Sequence, residues 1–210
     1  MKKVVLTIAA IFAFGFANAQ ETKFGAKAGL NLANLTGDVE DASTKVGFHV
    51  GGFVEIKVSD KFSVQPELLF STQGAKEKYS ESMSGFSYTE ESKLNLSYLN
   101  IPIMAKFYVA DKFSLEAGPQ IGFLMSAKSD YSFTQVAGGV TTSGSENIDV
   151  KDSFESIDFG VNFGLGYDFT ENVSAGARYN LGLSNVVKTE SGDDTKVQNN
   201  VISISVGYKF

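Results

Sequence analysis

The sequence predicts an all-β chain that closes as an eight-stranded antiparallel up-and-down transmembrane β-barrel, and three observations lead there. Apolar residues recur at every second position in segments of about ten residues, the period of a strand with one apolar face. A short turn motif with an acidic residue repeats along the chain and separates long polar connections. The chain ends Val206-Gly-Tyr208-Lys-Phe210, with an aromatic residue last.

The elements follow in order. Lys2 and Lys3 precede an apolar run from Val4 to Phe16 and a small-x-small site, Ala17-Asn-Ala19. Residues 1–19 therefore read as a secretory signal peptide, too short for the ~20 residues of a helical span. The mature domain is expected over 20–210. Its first strand alternates Phe24, Ala26, Ala28, Leu30 and Leu32 with Gly25, Lys27, Gly29 and Asn31. The second runs Phe48 to Val58 and the third Phe62 to Phe70. The fourth sets Leu99, Ile101, Ile103, Ala105, Phe107 and Val109 on one face, with a phase change near Tyr98 that reads as a bulge. The remaining four segments run Phe113 to Met125, Ile157 to Phe169, Val173 to Leu183 and Ile202 to Phe210.

The turn motif sets the connections. VSDKFSV at 58–64 recurs as VADKFSL at 109–115 and loosely as FTENVSA at 169–175. Each marks a tight turn, and the polar stretches near 34–46, 75–93, 127–153 and 185–199 read as long loops on the opposite rim. The stretch from Lys128 to Asp152 reads as too polar and flexible to pack. One crossing uses about 9 to 11 residues of tilted strand, so eight strands suit the length and a sixteen-stranded pore would leave nothing for loops. A soluble eight-stranded carrier would carry dense charge on its outer face. Here the face opposite the apolar row is mostly Gly, Ser, Asn and Gln, which suits a narrow lumen. Phe62, Phe107, Phe113, Phe169, Tyr208 and Phe210 collect beside the short turns, as an interfacial girdle does.

Composition removes several functions. The chain has no cysteine and one histidine, so thiolate sites, disulfides, lipid-modified cysteine and His-cluster metal sites are excluded. A net charge of −6 offers no basic stripe for nucleic acid. His49 shares its face with Glu55 and Lys57, yet no converging set of acids, bases and donors surrounds it in the sequence. No catalytic, cofactor or metal residues are expected. The acidic groups Asp38, Glu40, Asp41 and Glu190, Asp193, Asp194 read as solvated loops.

Counting from the acidic turn residues Asp60, Asp111 and Glu171 places Glu55, Glu67, Lys106, Glu116 and Arg178 five to seven positions up their strands, all in the inward phase. That depth is on the order of 13 to 18 Å, near the membrane midplane. Charges of both signs at one depth in a narrow lumen are expected to pair and plug it, because an unpaired ion there costs several kcal/mol.

The segments Gly25–Asn31, Phe62–Phe70, Tyr98–Lys106, Gly118-Pro-Gln120, Arg178–Asn185 and Val206–Phe210 resemble the outer-membrane β-barrel proteins typical of Bacteroidetes, the PorT-like group. The resemblance spans the mature chain. It implies an outer-membrane location, contact with outer-membrane lipids, and recognition of the last strand by the barrel-assembly machinery through Tyr208 and Phe210. It leaves two roles open: a structural or surface-interaction barrel with a surface partner, or a PorT-like part of an export or assembly machine with a periplasmic one.

Overall fold

The computed structural model describes residues 21–39, 42–189 and 192–210. The signal peptide expected over 1–19 lies outside the described residues, as do Glu40, Asp41 and Glu190. Among the described residues nine strands form: β1 (Thr22–Gly37), β2 (Ser43–Ser59), β3 (Phe62–Met83), β4 (Phe86–Ala110), β5 (Phe113–Ala137), β6 (Val140–Asp149), β7 (Ile157–Asp168), β8 (Val173–Gly182) and β9 (Val197–Lys209). Eight of them close a ring, each antiparallel to the next: β1–β2–β3–β4–β5–β7–β8–β9 and back to β1. Closure removes every edge from the ring, so backbone groups in the hydrocarbon layer find partners without water. The ninth strand, β6, pairs only with β5 and lies outside the ring.

The period-2 pattern dictates which side each residue takes. Leu30, Phe48, Leu68, Ile103, Leu115, Phe159, Phe163 and Ile204 stand exposed on the outside, where lipid replaces water. Their neighbours in sequence turn inward and are mostly polar or glycine, with Leu69 and Met104 among the apolar exceptions. Short turns join β2 to β3, β4 to β5 and β7 to β8 on one rim. The start of β1 and the end of β9 lie there as well: the Phe210 N–H donates to the Phe24 carbonyl at 2.8 Å. Phe62 stands opposite Phe107, and Phe113 opposite Tyr167. Beside them the ring pairs Tyr167–Phe169 and Tyr208–Phe210 meet edge to face at 5.0 and 5.6 Å, so the aromatic girdle follows this rim.

Two sequence expectations need correction. Residues 75–93 and 127–153 are largely strand, not loop. The β3–β4 ladder continues without a break from Ser71↔Tyr98 to Met83↔Phe86, and β5–β6 pairs from Lys128↔Asp149 to Ala137↔Val140. Beyond the membrane these strands satisfy their backbone by pairing, so polar side chains on both faces cost nothing. Gly138 and Gly139 turn the second hairpin with φ of 56° and 83°, a left-handed conformation that a Cβ disfavours. The bulge lies on β5, not on β4: Ser97 faces Ser126 while Tyr98 faces Leu124, leaving Met125 without a partner. On β4 the phase does not change near Tyr98. Leu94, Leu96 and Tyr98 point inward, where they meet Leu124, Ala127 and Phe154.

That apolar group is one half of a cap over the end of the barrel opposite the short turns. The other half gathers Leu35, Ala75, Val186 and Val197. The connections before β7 and after β8 hold the cap in place: Phe154 bridges to Val187, and Glu155 N–H donates to the Val186 carbonyl at 2.9 Å.

Candidate functional site: a charged lumen under an apolar cap

Inward positions on β2, β3, β4, β5 and β8 bring Glu55, Glu67, Lys106, Glu116 and Arg178 into one connected cluster. Arg178 holds Glu67 in a two-toothed grip, Nη1 to Oε2 and Nη2 to Oε1 both at 3.0 Å, and reaches Glu116 at 2.9 Å. The planar fork of a guanidinium suits this geometry, and a lysine could not reproduce it. Lys106 lies 3.6 Å from Glu116 and 3.5 Å from Glu55. Gln65 ties the layers, donating to Glu67 at 2.6 Å and accepting from Lys106 at 3.3 Å.

Four further residues join that sequence reasoning did not assign. Lys27 of β1 pairs with Glu67 at 2.8 Å. Lys209 of β9 pairs with Glu55 at 2.8 Å and with Asp168 at 3.1 Å. The Tyr108 hydroxyl donates to Glu55 at 2.6 Å and lies 3.2 Å from Asp168. The completed network sets four carboxylates against four cations, so the buried charge cancels. Glycine makes room for it: a Cβ on Gly166 would stand 2.6 Å from Glu116 Oε1.

Away from the short-turn rim the lumen becomes neutral and amide-rich. Asn31 donates to Ser71 at 2.9 Å, Asn180 to Asn162 at 3.2 Å and Asn162 to Gln120 at 3.3 Å. His49 belongs to this layer. Its Nδ1 lies 2.8 Å from Asn31 Oδ1, while Glu55 is engaged by Lys106, Lys209 and Tyr108. The structure does not join His49 to the other two residues of its face: Lys57 sits half exposed at the rim, 3.8 Å from Glu21 and 3.9 Å from Asp60. Among the described residues the lumen has small cavities, one of about 20 Å³ beside Lys106 and Arg178 and one of about 30 Å³ beside His49 and Asn31. Such spaces hold one or two waters each. At the short-turn rim the lumen opens into a vestibule of about 880 Å³ lined by charges of both signs, among them Lys57, Lys61, Asp111 and Lys209.

Asp38 accepts the Lys196 N–H at 2.9 Å. Asp193 accepts the Thr195 hydroxyl and N–H, which hold its carboxyl below the usual range. Tyr208 and Phe210 project from β9 outward at the girdle, half and three-quarters exposed.

The model of the family described as outer membrane protein beta-barrel domain matches residues 17–188. No curated protein sequence matches the chain. Among solved structures it is similar to Ail, the attachment invasion locus protein of Yersinia pestis, at 14% identity and a TM-score of 0.46, covering 90% of this chain and 99% of that one. Neisserial surface protein A is similar at 16% identity and a TM-score of 0.44, with 90% and 99% covered. The outer membrane protein OprG of Pseudomonas aeruginosa is similar at 11% identity and a TM-score of 0.40, with 91% and 97% covered. With a ring of eight antiparallel strands, an apolar outer band and a polar interior, the chain belongs to the outer membrane protein β-barrel domain family.

Proposed function

We propose that this small outer-membrane barrel is a structural, surface-interacting protein whose lumen is plugged, so that it acts through its outward strands and connections and not as a diffusion pore. One observation carries the reading: the inward charges are paired across the lumen, and the cavities between them are of about 20 and 30 Å³. A hydrated solute needs a continuous column of water, and spaces of one or two waters do not supply it. Planar-bilayer recording tests this. Wild-type protein should give no steady conductance, and a large stable current would overturn the plug. Export is through the signal peptide at 1–19, and Tyr208 and Phe210 present the last strand to the assembly machinery.

A second reading, a PorT-like component of an export or assembly machine, is favoured by the charged vestibule at the short-turn rim, the side such a partner would approach. Crosslinking in intact cells separates the two. Adducts from the rim around Lys61 and Lys112 support the machine, and adducts confined to the opposite end support the surface role.

A further inference from the structure

The paired strand ends that project beyond the ring form a sheet whose two faces differ, and the register fixes which residues share a face. Tyr79 stands opposite Glu90, Glu81 opposite Tyr88, Glu90 opposite Phe133, and Tyr131 opposite Glu146. One face therefore gathers five aromatic rings, Tyr79, Phe86, Tyr88, Tyr131 and Phe133, with four carboxylates, Glu77, Glu81, Glu90 and Glu146. Between residues 77 and 92 and between 129 and 148 it carries no lysine or arginine. The opposite face is Ser and Thr with charges of both signs, and there Lys93 pairs with Glu91 at 3.1 Å.

The aromatic face continues the inward phase of Leu96 on β4 and Ala127 on β5, so it overhangs the capped mouth. Its rings are held in place. Tyr131 and Phe133 lie 6.4 Å apart, and a Cβ on Gly144 would stand 2.6 Å from the Phe133 ring. The Tyr88 hydroxyl donates to Glu90 at 2.8 Å and lies 3.4 Å from that of Tyr131. The sheet also has a free margin, because among the described residues β6 pairs only with β5 and its other edge exposes N–H and C=O groups. Neither Lys nor Pro stands on β6, VTTSGSENID, so what guards the edge is the negative charge of Glu146 and Asp149, which repels acidic strands and leaves the edge open to cationic ones.

We infer that this face and the β6 edge together dock an extended cationic segment of another protein, one in which Lys or Arg recurs at every second position. The edge supplies ladder hydrogen bonds to an added strand. Alternate side chains of that strand then fall on the aromatic face, where Glu146 and the Tyr131 ring on the two nearest strands receive cations, and Glu90 and Glu81 attract them from further off. A second copy of this chain fits poorly. Its β6 carries Glu146 and Asp149 and no cation, so pairing two β6 edges brings like charges together. This inference rests on the surface-interaction reading and names the partner chemistry of that surface.

The test uses the mature chain folded into uncharged phosphatidylcholine vesicles and two fluorescent decapeptides, one alternating Lys with Thr and one alternating Glu with Thr. The Lys peptide should bind and the Glu peptide should not. The variant E81Q/E90Q/E146Q should bind the Lys peptide about tenfold more weakly. The control E91Q/E155Q/D194N, which removes the same formal charge elsewhere on the outward side, should stay within about twofold. Equal loss in both variants overturns the inference, because bulk charge then explains the binding. So does absence of binding by wild-type protein whose barrel is folded. Crosslinked dimers lost in E81Q/E90Q/E146Q would assign the face to a second copy and overturn it as well, as would retention of maltoheptaose lost in the same variant. The peptide assay needs no cells, so its failure is distinct from failure of surface display, which is read by antibody staining of intact cells.

Discussion

Arg178 is the residue on which most of the buried charge converges, since it joins Glu67 and Glu116 while burial leaves little water to replace it. Arg178→Ala leaves two carboxylates facing each other without their shared cation, and breaking a buried pair in this way costs about 3 to 5 kcal/mol. Urea unfolding in vesicles should read that loss. A double variant, Arg178→Ala with Glu116→Gln, should recover part of it, because Glu67 keeps Lys27 and Lys106 keeps Glu55, and the one uncompensated carboxylate is then gone. Five members of the network were legible in the sequence because each lies a countable distance from an acidic tight turn. Lys27 and Lys209 were not, since β1 and β9 have chain ends where the other strands have turns and so no marker from which to count. Asp168 and Tyr108 sit beside the short-turn rim, below the depth at which the other five were counted, and Lys209 reaches Asp168 while the Tyr108 hydroxyl reaches Glu55.

At the scale of single elements the same alternation has two readings. On β4 the outward row is lipid-facing, and Ile103 lies within it. Ile103→Arg should cost about 2 to 4 kcal/mol, whereas Val58→Arg beside the short turn should cost about 0 to 1 kcal/mol, as measured by unfolding in vesicles. Equal costs would contradict the proposed depth. The projecting halves of β3, β4 and β5 were illegible for a physical reason. Strands above the membrane have no lipid-facing side, and their aromatic face interleaves rings with glutamates, so the hydropathy period fades although the ladder continues. The apparent phase change at Tyr98 has a related cause: Leu94 and Leu96 are apolar because they build the cap. The tolerant site for an epitope is therefore the turn at Gly138 and Gly139, not any point from 128 to 152. An epitope there should stain intact cells, and one between Asp111 and Lys112 should stain only after permeabilisation. The reverse pattern would invert the topology.

For the molecule as a whole, closure of the ring was legible from strand count and turn spacing, and it carries its own signature. A ring without an edge cannot unzip strand by strand, so the protein should migrate differently in detergent gels before and after boiling. The contact between Phe210 and Phe24 has a consequence of another kind. It makes the start of β1 and the end of β9 neighbours on one rim, where three tight turns already join neighbouring strands. A circular permutant that links Phe210 to Glu21 by a short Gly-Asn bridge and opens between Gly138 and Gly139 keeps every rung of the ring. Refolded from urea into vesicles, it should regain the heat-sensitive migration of the parent. In cells the permuted chain no longer ends on an aromatic strand, so its outer-membrane yield measures the terminal signal separately from the fold.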